Sequence, residues 1–117
     1  MRRRLASFKY AWQGIVYLFR SQPNARFHAL AAVGVVSLGL WLGVDRTEWA
    51  VLTLAIGSVI AAEAFNTALE ELTNLVSPDY HELAGRAKDA AAAAVLLAAL
   101  AAALAGGFIF VPKLLSL

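Results

Sequence analysis

The chain contains no cysteine, one methionine and three prolines in 117 residues. Without cysteine there is no disulfide framework and no thiolate metal centre. Charge is also scarce: Asp, Glu, Lys and Arg make up 15% of the chain, against about 25% in an ordinary soluble domain. The run from Ala90 to Val111 has none at all. A helix without a polar face does not suit a water-soluble bundle, so that fold is set aside. Neither GxxxxGK[ST] nor GxGxxG occurs, which removes the soluble folds that cradle phosphates in a glycine-rich loop. Internal repeats and low-complexity tails are missing as well. The triple arginine at Arg2–Arg4 is interrupted downstream by Lys9, Gln13 and Arg20, and with no apolar stretch after it no secretory signal is expected.

What the chain does have is hydrophobic blocks. Hydrophobic residues account for 61% of it, above the usual 45–50% or so, and they cluster over residues 26–44, 48–75 and 89–111. Each block is near the roughly 20 residues needed to cross a hydrocarbon layer. The expected fold is therefore an all-α integral membrane protein, a single domain over residues 1–117. It has three transmembrane helices at those positions, preceded by an N-terminal amphipathic surface helix over residues 1–21. Leu5, Phe8, Trp12, Ile15, Val16 and Phe19 recur there at helical spacing, with Arg2, Arg3, Arg4, Lys9, Gln13 and Arg20 largely elsewhere. That pattern suits a helix lying among lipid headgroups; an ordinary helix packed on the spans is compatible with it. Pro23 ends the helix, because the residue before a proline is pushed out of the helical region. The polar run over residues 76–88 reads as a loop. The alanines that open the third block suit close helix packing in lipid.

Lys and Arg set the expected orientation. Arg2, Arg3, Arg4, Lys9, Arg20, Arg26, Arg86 and Lys88 lie at one end of the spans, and only Arg46 and Lys113 at the other. The N-terminus and the 76–88 loop are thus expected in the cytoplasm, with Trp41 and Trp49 bracketing the outer turn as interfacial aromatics.

Against this apolar background Glu63, Asn66 and Glu70 stand out, spaced by three and four residues and so on one helical stripe, with Glu71 on its flank. A carboxylate below the membrane surface is costly, and marks a functional site by default. Counted from Trp49 at about 1.5 Å per residue, Glu63 lies several ångströms inside the cytoplasmic boundary and Glu70 emerges near the headgroups. A desolvated carboxylate suits a general base, and one at the boundary suits a hard cation held through oxygen. Lys88, with Asp79, Tyr80 and His81 nearby in sequence, could meet a phosphate-bearing ligand; equally, the run is polar because it is wet and Lys88 snorkels. The stripe should face other helices, since lipid would penalise it.

Glu63-Ala-Phe-Asn-Thr-Ala-Leu-Glu70, followed by His81-Glu-Leu-Ala-Gly-Arg-Ala-Lys-Asp89 and Ala93-Ala-Val-Leu96, resembles the prokaryotic diacylglycerol kinase family, as does Tyr10-x-Trp12-x-Gly14 in the first helix. The resemblance implies a homotrimeric, multi-pass enzyme of the bacterial inner membrane with a cytoplasmic N-terminus. Such an enzyme transfers the γ-phosphate of ATP to a membrane lipid alcohol with magnesium, and no nucleic acid partner is expected. It implies Glu63 as catalytic base, with Asn66 supporting it, and Glu70 as a magnesium ligand. Arg3, Tyr10, Gln22, Glu70, Asp79, Tyr80, His81, Lys88 and Asp89 correspond to nucleotide-side positions. One departure is at Gln22, where the family usually has a second metal-binding glutamate; an amide oxygen ligates magnesium without bringing charge. Asn24-x-Arg26-x-His28 resembles the undecaprenol kinase branch and His81–Arg86 the diacylglycerol kinase branch, so both lipids stay open. A small proton-coupled transporter and a non-catalytic membrane scaffold are the alternatives from other classes; only the kinase should bind ATP with magnesium.

Overall fold

The structure is a computed structural model that describes all 117 residues, and it is entirely helical. Four helices follow one another: α1 (Arg2–Ser21), α2 (Pro23–Leu42), α3 (Arg46–Val76) and α4 (Glu82–Leu115). The last three are long and apolar enough to cross a membrane.

The joints explain the boundaries. Gln22 is extended (φ −116°, ψ 108°) because Pro23 follows it, and Pro23 then occupies the first turn of α2, where its missing N–H costs no bond. Pro23 therefore both stops α1 and starts α2, three residues before the position expected from hydropathy. At its other end α2 closes on Gly43 (φ 68°, ψ 52°), a left-handed cap that glycine adopts without strain. Asp45 then opens α3 through a capping box: its carboxylate accepts from Glu48 N at 2.8 Å, and Glu48 Oε1 accepts from Asp45 N at 3.0 Å. The same Glu48 oxygen meets Lys113 Nζ of α4 at 3.1 Å, tying the turn to the last helix.

The polar run does not form the loop expected over residues 76–88. Of that run only Ser77–His81 lie outside helices, and α4 begins at Glu82. His81 caps it, Nδ1 accepting from Leu83 N at 3.1 Å, and Arg86 pairs with Glu82 at 2.6 Å one turn apart. A cap, an i,i+4 pair and alanine-rich sequence all favour helix even where the side chains are wet. Lys88 consequently sits on a helix, not in a connection, one residue before Asp89. At 34 residues, α4 is about 51 Å long and overshoots a ~30 Å hydrocarbon layer by several turns.

α3 and α4 make the most extensive contact, with α2 against α3 and α1 touching α2 and α3. Near the Asp45 end Val44, Leu52, Ile109 and Phe110 form the buried cluster, with Trp49 packed on it. Trp49 also lies on Gly39: a Cβ there would stand 2.7 Å from the indole Cη2, so the absence of a side chain is what admits the ring. Only 11 of 117 residues are buried, too few for a chain of this size to be stable in water. Leu30, Leu40, Leu54, Leu97 and Phe108 are each more than three-fifths exposed, forming the apolar surface that lipid or further copies of the chain must cover.

Candidate functional site

Two of the eleven buried residues are polar, Glu63 and Thr67, and Glu63 is the largest side chain shut away from the surface, at 2% exposure. Thr67 turns its hydroxyl back to Glu63 O at 2.9 Å, the usual way a helix hides a threonine in an apolar setting. Glu63 has no such local outlet. Its Oε1 stands 3.3 Å from His28 Nε2 of α2, within ion-pair range but off hydrogen-bond geometry, and no protein group donates a hydrogen bond to it. Three residues along, the buried Oδ1 of Asn66 also lacks a donor. Two acceptors on one helical face are thus withdrawn from water and left without donors, an arrangement that native proteins keep only for a reason.

His28 lies five residues into α2 and was not among the residues assigned a role from sequence, although Asn24-x-Arg26-x-His28 was noticed for another reason. Only the crossing of α2 against α3 reveals the pair. The expectation that the stripe faces other helices holds for Glu63 inside a single chain, so its burial needs no second copy.

The other residues of interest are spread over the same end of the molecule. Glu70 is half-buried and Glu71 exposed. Glu71, off the stripe, has a partner: Tyr17 of α1 donates its hydroxyl hydrogen to Glu71 Oε1 at 2.8 Å. That bond raises the Tyr17 pKa above its ordinary value, because the phenol proton is held by a carboxylate. Tyr17 and Glu71 also border a cleft of ≈ 660 Å³ between α1 and α3, walled by Gly14, Leu18, Ile60 and Ala64. Gln22 is half-buried at the α1–α2 joint. Arg3, Tyr10, Asp79, Tyr80, His81 and Asp89 are exposed and Lys88 is half-buried. None of these is hydrogen-bonded or ion-paired to Glu63 or Glu70 within one chain, and no three His, Asp or Glu side chains gather at a point. One chain brings together Glu63, Asn66 and His28, and leaves Arg3, Tyr10 and Tyr80 open to solvent.

Fold and site define a multi-pass helical membrane protein with a buried, donor-starved carboxylate. Comparison with known proteins narrows that class. The prokaryotic diacylglycerol kinase family matches residues 9–110, and the chain belongs to it. A diacylglycerol kinase of Synechocystis sp. is 47% identical over 97% of this chain, which spans 65% of that relative's length. An undecaprenol kinase of Bacillus subtilis is 39% identical over 97% of this chain and 93% of its own. A diacylglycerol kinase of Escherichia coli is 33% identical over 80% of this chain and 76% of its own. The relatives give the transporter and scaffold readings no support.

Proposed function

We propose that this chain is an ATP-dependent lipid kinase that phosphorylates a membrane lipid alcohol, diacylglycerol or undecaprenol, at the cytoplasmic face of a bacterial membrane. The observation that carries the reading is the pair of buried acceptors without donors, Glu63 Oε1 and Asn66 Oδ1. A lipid hydroxyl is the donor such a site calls for, and it reaches this depth without leaving the bilayer. Family membership and the kinase names of the relatives support the chemistry.

In the proposed reaction the substrate O–H bond breaks and its proton passes to the Glu63 carboxylate. The freed oxygen forms a bond to the γ-phosphorus of ATP, and the bond from that phosphorus to the β-bridging oxygen breaks to release ADP. Phosphoryl transfer asks a protein mainly for alignment and charge neutralisation. Asn66 orients the acceptor, and Lys88 offsets charge on the phosphates.

Magnesium commonly takes one or two protein carboxylates plus substrate phosphates, not a dedicated protein cage. A half-buried Glu70, the Gln22 amide and no three-acid cluster fit that mode. Glu70, with Gln22, would hold the ion, which when bound neutralises phosphate charge. Arg3, Tyr10, Asp79, Tyr80, His81 and Asp89 are the remaining nucleotide contacts. Because one chain leaves them apart from Glu63 and exposes wide apolar faces, the working form is a homotrimer whose sites are completed by a neighbour. The N-terminus lies in the cytoplasm, by the excess of Lys and Arg at that end.

The test is transfer of label from γ-labelled ATP to extractable lipid, with diacylglycerol and a C55 polyprenol offered in identical magnesium-containing micelles. One of the two should be phosphorylated well above a lipid-free control. Absence of labelled lipid with both, in protein shown to be folded, sinks the proposal.

A further inference from the structure

His28 is the one polar side chain lining an apolar cleft of ≈ 390 Å³ bounded by α2, α3 and α4. The walls around it include Ala31 and Val35 of α2, Val59 and Ile60 of α3, and Ala103 of α4. Nothing among them can hydrogen-bond the imidazole. The ring is set edge-on to its neighbour Phe27, with centroids 5.7 Å apart and planes at 71°. It is 19% exposed, and the only ionisable side chain within reach of its Nε2 is Glu63.

From this geometry we infer that His28 is a positioning residue for Glu63, an inference that rests on the reading of Glu63 as base. With its hydrogen on Nε2, the imidazole can donate to Oε1 once the ring turns into line, the two atoms already standing 3.3 Å apart. Glu63 swings on flexible side-chain torsions in a pocket that offers no other donor, and a carboxylate that rotates away from the lipid hydroxyl is not a base. At 3.3 Å the separation already suits a hydrogen bond and the angle does not, so a rotation of the ring completes it. That bond restricts the swing of Glu63 and leaves the carboxylate's remaining lone pairs to meet the substrate hydroxyl and receive its proton. His28 itself gains no proton in the cycle. Groups that orient a reacting residue in this way typically contribute about 10–100-fold.

His28→Leu removes the donor and keeps the apolar volume, so kcat should fall about 10–100-fold while the KM for ATP stays unchanged. His28→Gln places an amide N–H near the former Nε2 and should recover most of that loss. In a Glu63→Gln background His28→Leu should change the residual rate little, because a group that acts through Glu63 has nothing left to act on. Three results overturn the inference: a kcat for His28→Leu within twofold of the parent, a His28→Gln rate as low as that of His28→Leu, or a KM for ATP that rises in step with the loss. Failure of the underlying reading looks different, since Glu63→Gln alone would then retain activity whatever His28 does.

Discussion

Glu63→Gln should move activity and stability in opposite directions. The Glu63 carboxyl group lies at 2% exposure, with an oxygen that no protein group donates to and a single imidazole at 3.3 Å. A buried polar group left without its hydrogen bond costs about 1–3 kcal/mol, more if charged. The amide has nearly the same volume, so no cavity or overpacking term enters. It also brings its own donor, which can meet the unprotonated nitrogen of the other His28 tautomer. The variant should therefore be more stable than the parent by about 1–2 kcal/mol. Phosphoryl transfer should meanwhile fall about 10²–10⁴-fold, the range of general-base catalysis. A site tuned for function and strained in the resting state shows this trade-off.

The stability arm is read from unfolding in mixed micelles of dodecyl maltoside and sodium dodecyl sulfate, following helix content and Trp fluorescence. The activity arm uses labelled ATP and extracted lipid. A variant destabilised by more than about 1 kcal/mol would mean that the Glu63 carboxylate is satisfied rather than starved, and the argument from orphaned acceptors would fall. Retention of more than about a tenth of the activity would remove the base assignment independently.

Tyr17→Phe and Glu71→Ala should each loosen α1 from α3 and quicken limited proteolysis after Arg20, whereas Glu70→Ala should leave the cleavage rate alone and raise the magnesium requirement; indistinguishable effects of Glu70→Ala and Glu71→Ala would contradict both roles. Because the hydrogen bond to Glu71 raises the Tyr17 pKa, that contact is fully present below the ordinary tyrosine value of about 10. It weakens as pH rises through the raised value, and an α1 held no less firmly above that value would refute the assignment. Gly39→Ala puts a Cβ 2.7 Å from the Trp49 ring and should destabilise by about 1–3 kcal/mol; adding Trp49→Leu, which lacks the clashing atoms, should relieve the strain, and strict additivity would show that the ring does not sit on Gly39.

Three long helices and one amphipathic one were legible because lipid imposes a simple rule: apolar runs near 20 residues must be helical to satisfy their backbone. The rule weakens where the chain leaves the hydrocarbon. Glu82–Lys88 reads as a loop because its side chains are polar, yet polarity outside the membrane says nothing against a helix. What decides there is local, an imidazole cap and an i,i+4 pair, and both are weak signals until the coordinates show them made. The same holds at the Asp45 turn. A capping box is readable as Asp-x-x-Glu, but that Glu48 also reaches Lys113 on the far helix depends on how α3 and α4 align.

The candidate site divides along the same line. Glu63, Asn66 and Glu70 could be found from spacing alone, since an acid in an apolar run is conspicuous and helical periodicity assigns its face. Tertiary pairs could not. Glu71 seemed idle beside the stripe because its partner, Tyr17, is more than fifty positions away on another helix, and nothing local in either residue advertises the bond. His28 was hidden for the same reason: a lone histidine near the end of a span is unremarkable until α2 is laid against α3. The distinction has a consequence for mechanism. The groups that one helix presents are the acceptors, Glu63 and Asn66, and the group that steers Glu63 comes from another helix, His28 of α2. Catalysis in this chain should therefore be sensitive to how α2 sits on α3. A substitution that shifts α2, such as a larger side chain at the fully buried Ala25, should lower kcat without touching a reacting group.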